Sequence, residues 1–281
     1  MCMRIVDEEI QRMFEHFKPL YEPLPDSGRY LDRIGMKSID APDKETLDRL
    51  ILCHQRTVPF ENLDIYDADI DISLSIPALY DKVVLRRRGG YCFELNAAFM
   101  SLLKSLGYDC YALAIRVVWN FEDVMPISHR GTVVTIDGIR YFCDVGFGGP
   151  SPQGALYLDV DGFQESGINT FKIEKVKSGT VIHRMVNGEK ERLLLFSEDP
   201  CDPVDFLALN EYQSRSKESM FRKGRLLNLV TENGNKTLSG NVLTINESGG
   251  KSEKTLTGEQ ELKSAMEEHF GLSVDFPLKP A

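Results

Sequence analysis

No apolar run in the 281 residues approaches the roughly 20 needed to cross a bilayer. The opening, Met1 to Glu9, also lacks the cationic and then apolar layout of a signal peptide, so the expected location is the cytoplasm. Positive charge is in short supply: 33 Lys and Arg against 43 Asp and Glu leave a formal net charge of -10. That balance opposes nonspecific binding to nucleic acid or to an anionic membrane surface. The six cysteines (Cys2, Cys53, Cys92, Cys110, Cys143, Cys201) form no C-x-x-C pair and no His/Cys cluster at ligand spacing. Neither a structural metal nor a disulfide framework is therefore expected. Cys53, Cys110 and Cys143 read as buried structural thiols. Pro/Ser/Gly tracts and internal repeats are missing too. What remains is an ordinary globular composition, 42% hydrophobic and 27% charged, in a chain long enough for two or three packed modules. A small-molecule enzyme fits these exclusions.

The first third is patterned for helices. Val6, Ile10, Met13 and Phe17 recur at three-to-four spacing, as do Leu47, Leu50, Ile51 and His54, and Ser75 with Pro77 marks a start for residues 78–85. From Tyr111 the pattern becomes β-rich: YALAIRVVW, GTVVTI, IRYFCDV, TFKIEKV, TVIHRMV and ERLLLF. Asp137-Gly138 and Asn187-Gly188 punctuate these runs as two-residue hairpin turns. A β-barrel or β-sandwich is expected there. The last seventy or so residues mix a helix from about Val204, strands LLNLV, KTLSG and NVLTI, and a final helix over 259–270 stopped by Gly271.

Chemistry concentrates in RRRGGYCFELN, residues 86–96. Ala97, Met100, Leu103 and Leu106 make an apolar helical stripe closed by Gly107, so Gly89-Gly90 form a loop that puts Cys92 in the first helical turn. Unpaired N–H groups and the helix dipole favour an anion at that point, and Arg86 to Arg88 add positive charge; both effects should lower the thiol pKa. The competing reading is a cysteine that merely packs against its helix beside a solvated basic face. A partner base would decide between them. His16, His54, His183 and His269 fit structural or surface positions.

His129 differs, because hairpin geometry relates it to an acid. With Asp137-Gly138 as the turn, facing residues sum to 275, which sets residue 131 opposite Asp144 and His129 opposite Gly146. His129 and Asp144 then share a face as diagonal neighbours, a separation that one hydrogen bond can close. Such a carboxylate would fix the imidazole tautomer and leave the other nitrogen for the thiol proton. Nothing local says that this hairpin abuts the Cys92 helix.

The segments PFENLDI (59–65), RGGYCFELN (88–96), ISHRGTVV with His129, and YFCDVGFG (141–148) together resemble the arylamine N-acetyltransferase family. The order Cys, His, Asp and the separations of 37 and 15 residues are similar to that family's triad. The likeness extends over almost the whole chain, with NEYQSRSKESMF and the closing strands and helix resembling the family's third domain. Two places depart from the family's pattern: Cys143 stands where an apolar residue is common, and GPSPQGAL after Gly149 follows it only loosely.

The resemblance implies an α+β fold: a papain-like cysteine-enzyme core of N-terminal helical bundle plus β-barrel, with a C-terminal α/β lid. The corresponding division is 1–88, 89–200 and 201–281. It implies acetyl transfer from acetyl-CoA, a co-substrate rather than a tightly bound cofactor, to a small aromatic amine or hydrazine. Cys92, His129 and Asp144 would be catalytic. Phe147 would line the acceptor pocket, Gly146, Gly148 and Tyr212 would contact the cofactor, and Glu61 with Arg88 would form a supporting ion pair. A barrel-end core aromatic is the competing role for Phe147. An amide synthase acting on a carrier thioester, a papain-type hydrolase and a non-catalytic small-molecule binder are the alternative functions. The preferred amine and the oligomeric state are left open.

Overall fold

The computed structural model describes residues 15–280 apart from Val124, so the helix expected from Val6, Ile10 and Met13, and the thiol of Cys2, lie outside the described residues. In the N-terminal part, α1 (Ser27–Arg33) starts at Asp26 and α2 (Lys44–Thr57) at Asp43; each aspartate accepts a backbone N–H of the first turn. A two-residue strand β1 (Phe60–Glu61) and a short α3 (Leu63–Tyr66) follow. Next comes α4 (Ile76–Tyr80), which runs into one π-helical turn, Asp81–Leu85. The longest buried element is α5 (Cys92–Ser105), ended as expected by Gly107 at φ +91°. Leu47, Leu50 and Ile51 of α2 share one apolar core with Phe99 and Leu103 of α5. This core crosses residue 88 without a break, because α5 is apolar on nearly every face and needs the earlier helices to cover it.

The middle of the chain forms eight antiparallel strands: β2 (Asp109–Val117), β3 (Ile127–Ile136), β4 (Ile139–Cys143), β5 (Leu156–Tyr157), β6 (Phe163–Ser166), β7 (Asn169–Val176), β8 (Gly179–Val186) and β9 (Glu189–Phe196). Their order is β5-β4-β3-β2-β9-β8-β7-β6. Asp137-Gly138 and Asn187-Gly188 have positive φ at both positions, the backbone of a tight hairpin whose twist matches its strands. The two edge strands approach each other, and the Gln164 side-chain amide both accepts the Tyr157 N–H (2.7 Å) and donates to its carbonyl (2.9 Å). The sheet is thus curled into a nearly closed barrel around Leu113, Phe142, Phe171, Ile182 and Phe196. Of the two β architectures expected, the barrel is the one found. The pattern gave no hint of β5 and β6, which are too short to show alternation.

Beyond the barrel, α6 (Phe206–Arg215) leads to β10 (Leu226–Val230), β11 (Asn235–Ser239), β12 (Val242–Glu247), β13 (Gly250–Thr255) and α7 (Gly258–Phe270). Gly271, at φ +64°, caps α7 in the left-handed conformation. The sheet order β1-β10-β11-β12-β13 borrows its first strand from the N-terminal part, which seams the third region onto the helices. Strand β13 is wholly exposed and rich in Lys and Glu, an edge protected by charge rather than one readable from hydrophobic alternation. Among the described residues no helix is long and apolar enough to cross a membrane.

Candidate active site

The site is built around the start of α5. The two glycines before it are required by crowding: a Cβ on Gly89 would sit 2.0 Å from the Pro59 carbonyl oxygen, and one on Gly90 would meet the Glu94 side chain at 2.9 Å. The Glu61 N–H donates to the Gly90 carbonyl (2.9 Å), which ties the loop to β1. Glu94 turns back to accept the Tyr91 N–H (3.1 Å), and Cys92 becomes the first residue of α5. The first N–H groups of a helix have no intrahelical acceptor, so the Cys92 end of α5 presents donors.

The basic run before it does not act as expected. Arg86 pairs with Asp81 (2.7 Å) at the surface. Arg88 is buried, with Nη2 2.7 Å from both Glu61 Oε1 and Asp64 Oδ1. Lys82 completes the cluster, 2.8 Å from Asp64 and 2.7 Å from Glu94. Burial works against the cations of Lys82 and Arg88, but the surrounding carboxylates more than offset it and hold both above their ordinary values. The expected arginine field at Cys92 is therefore largely consumed within this network. The Glu61–Arg88 pair is present, enlarged by Asp64, Lys82 and Glu94, none of which the sequence reading singled out.

The hairpin register follows the sum of 275 from Ile136↔Ile139 to Thr132↔Cys143, where β4 ends. One residue on, Asp144 Oδ2 lies 2.6 Å from His129 Nε2, and both side chains are buried. Asp144 Oδ1 accepts from the Gly146 N–H and from Asn96 Nδ2, each at 2.9 Å. Asn96, about one turn along α5 from Cys92, also donates to the Arg130 carbonyl (2.6 Å) and accepts the Val145 N–H (3.0 Å). That amide is what joins the hairpin to the Cys92 helix; it lay inside the quoted motif, but its role was missed.

With Nε2 committed to Asp144, the ring nitrogen left for a thiol is Nδ1. Burial pulls the His129 pKa down, but the Asp144 charge and hydrogen bond, followed by the Cys92 hydrogen bond, outweigh it and raise the value to about 10. Burial pushes Cys143 well above the ordinary range and Cys110 up to about 11, in keeping with inert structural thiols, whereas Cys53 is only half-buried. His54 donates to or accepts from the Tyr30 hydroxyl (3.0 Å) inside the helical core.

Cys92 and His129 line a cavity of about 720 Å³ between the barrel and the third region. Its wall is largely aromatic and apolar, with Phe60, Trp119, Phe147 and Phe221 among its residues. Phe147 stands edge-on to the His129 ring, 5.6 Å between centroids. Gly148 also lines the cavity, at φ +72°, with the Phe60 ring 3.0 Å from where a Cβ would be. Tyr212 is half exposed on the same wall. Gly146 does not line it: a Cβ there would meet Cys92 Cα at 3.0 Å, and its N–H is spent on Asp144. Its small size lets the strand end pack against α5, instead of making room for a cofactor as expected.

A family model described as N-acetyltransferase matches residues 43–279. The arylamine N-acetyltransferase of Mycobacterium tuberculosis is 34% identical over 251 residues, 87% of this chain and 88% of that protein. The chain belongs to the arylamine N-acetyltransferase family. Among solved structures, the family member from M. tuberculosis superposes with a TM-score of 0.83 at 33% identity, covering 88% of this chain and 93% of that one. The Mycobacterium marinum family member in complex with CoA gives 0.82 at 32% identity, covering 88% and 92%.

Proposed function

We propose that this chain transfers an acetyl group from acetyl-CoA to an aromatic amine or hydrazine by double displacement through Cys92. The reading is carried by one observation: His129, hydrogen-bonded to Asp144, and Cys92, whose Sγ lies 3.6 Å from the carbonyl of the adjacent Ser128, share the wall of a large aromatic cavity. In the first half-reaction the Cys92 thiolate, its proton already held by His129 as an ion pair, attacks the thioester carbonyl. The new C–S bond forms as the bond to the CoA sulfur breaks, and His129 returns the proton to the departing thiolate. The amine then attacks the acetyl-cysteine, loses its proton to His129 and leaves as the amide, restoring the ion pair. Asp144 orients the ring and stabilises the imidazolium in both halves.

The tetrahedral oxygen would be met by backbone N–H groups at the start of α5, including that of Cys92; a donor of this kind contributes about 3 kcal/mol. Phe147 would lie against the acceptor ring, and Gly148 and Tyr212 would pass the pantetheine arm of CoA, which acts as co-substrate. Glu61 and Arg88 support the loop and take no part in the chemistry. The family's solved complex with CoA, the shared fold and the aromatic wall support this assignment. We place the enzyme in the cytoplasm, and read 1–88, 89–200 and 201–281 as its three modules, the last acting as a lid over the cavity.

Rapid mixing with acetyl-CoA tests the reading. One equivalent of CoA thiol should appear in a burst, and Cys92→Ala should give none. Absence of the burst in the unaltered enzyme would favour an amide synthase that takes its acyl group from another carrier. Fast loss of the acetyl group to water without an amine would indicate a hydrolase.

A further inference from the structure

A second groove lies on the other side of β3. Successive side chains of a strand alternate between faces, so Arg130 points away from the side on which His129 meets Asp144. Arg130 is only 2% exposed, yet it forms no ion pair with a carboxylate among the described residues. Its guanidinium stacks over the Phe206 ring (4.4 Å); among the described residues Nη2 meets the Met100 sulfur (4.0 Å) and Nε has no partner. Burying an unpaired charge is costly, and proteins ordinarily meet that cost with a counter-ion. Burial lowers the Arg130 pKa to about 10, so the group is still cationic at neutral pH.

The groove that Arg130 helps to line has a volume of about 90 Å³ and shares no lining residue with the Cys92 cavity. Ser101 and Lys104 of α5 add a hydroxyl and a second cation, while Leu20, Leu74 and Ile76 make an apolar wall. Glu22 also borders it. We propose that this groove is a binding site for a short-chain monocarboxylate, with its carboxylate on Arg130 and Lys104 and its alkyl tail against the leucine and isoleucine side chains. The apolar wall disfavours fully hydrated inorganic anions, and Glu22 disfavours a doubly charged one. A volume of about 90 Å³ exceeds the roughly 15 Å³ that one water needs, and accommodates several heavy atoms.

Calorimetric titration of the full chain with sodium butyrate at constant ionic strength tests this. One equivalent should bind saturably. Lys104→Glu, at an exposed position away from the chemistry, should weaken binding at least tenfold and leave acetyl transfer unchanged. Arg130→Met should abolish binding, and should raise the melting temperature of the ligand-free protein if it folds. Alkylation of Cys92, which fills the other cavity, should leave butyrate affinity intact. No saturable heat, equal affinity of Lys104→Glu, competition by phosphate at equal concentration, or loss of binding on Cys92 alkylation would each overturn the site. So would a tenfold gain in affinity in Asp7→Asn/Glu8→Gln/Glu9→Gln, since the chain's own acids would then be the occupant.

Discussion

Two clusters of buried ionisable side chains flank the first turn of α5, and they do opposite things with similar ingredients. In the Glu61–Asp64–Lys82–Arg88–Glu94 cluster each cation meets two carboxylates, and Glu61 and Glu94 also take backbone N–H groups at Leu63 and Tyr91. Its charges face one another. In the Cys92–His129–Asp144 cluster the carboxylate is saturated, but the ring it holds keeps one nitrogen for a thiol on a cavity wall. Closed pairing rigidifies a loop; pairing left open on one side at a cavity makes a reactive group. On the proposed function, the reactivity of Cys92 depends on the open cluster, and its placement on the closed one.

Substitutions separate the two roles. Cys92→Ala or Cys92→Ser should abolish acetyl transfer while leaving the melting temperature near that of the unaltered protein; turnover at normal rate in either would end the assignment. Asp144→Asn should cost on the order of a hundredfold or more in transfer and should slow iodoacetamide alkylation of Cys92 in parallel. Arg88→Met belongs to the opposite side. It strands buried carboxylates, and urea unfolding should register a loss of about 3–5 kcal/mol, while transfer per folded molecule stays within a few-fold of normal. A variant that kept its stability and lost only its chemistry would erase the distinction between the clusters.

Smaller effects probe the joint between hairpin and helix. Asn96→Ala removes the donor shared by Asp144 and the Arg130 carbonyl, and should lower stability by about 1–3 kcal/mol with a several-fold drop in alkylation rate. Acidity gives the last comparison. His129 titrates near 10 in the folded protein, above the ordinary histidine value of about 6.5, so the stabilisation it supplies is complete below pH 6.5. It is lost as pH rises through 10. The stability gap between the unaltered protein and Asp144→Asn should accordingly narrow from pH 6.5 to 10; a gap that widens would place the raised pKa elsewhere.

Much of this was readable in advance where the determinants are local. Asp137-Gly138 dictates a tight turn, the turn dictates the register, and the register brings His129 to the side of Asp144 before any coordinates exist. Likewise Gly89, Gly90 and Gly107 bracket a helix that begins at Cys92. Strand β13 and the edge pair β5 and β6 escaped because they are short or polar, and their pairing is set by neighbours distant in the chain. Gly146 was misplaced for a related reason: a glycine signals close approach without saying what approaches.

The amino-acid sequence alone determined the helix that carries the thiol, the hairpin that carries the imidazole and carboxylate, and the family, since turn geometry and short motifs act over a few residues. Only tertiary packing decided that helix and hairpin meet, through Asn96 and Gly146, and that Asp64, Lys82 and Glu94 join the expected Glu61–Arg88 pair in one closed network. Those contacts join residues up to about fifty positions apart, and at that range the charge a side chain encounters depends on which surfaces the whole core brings together.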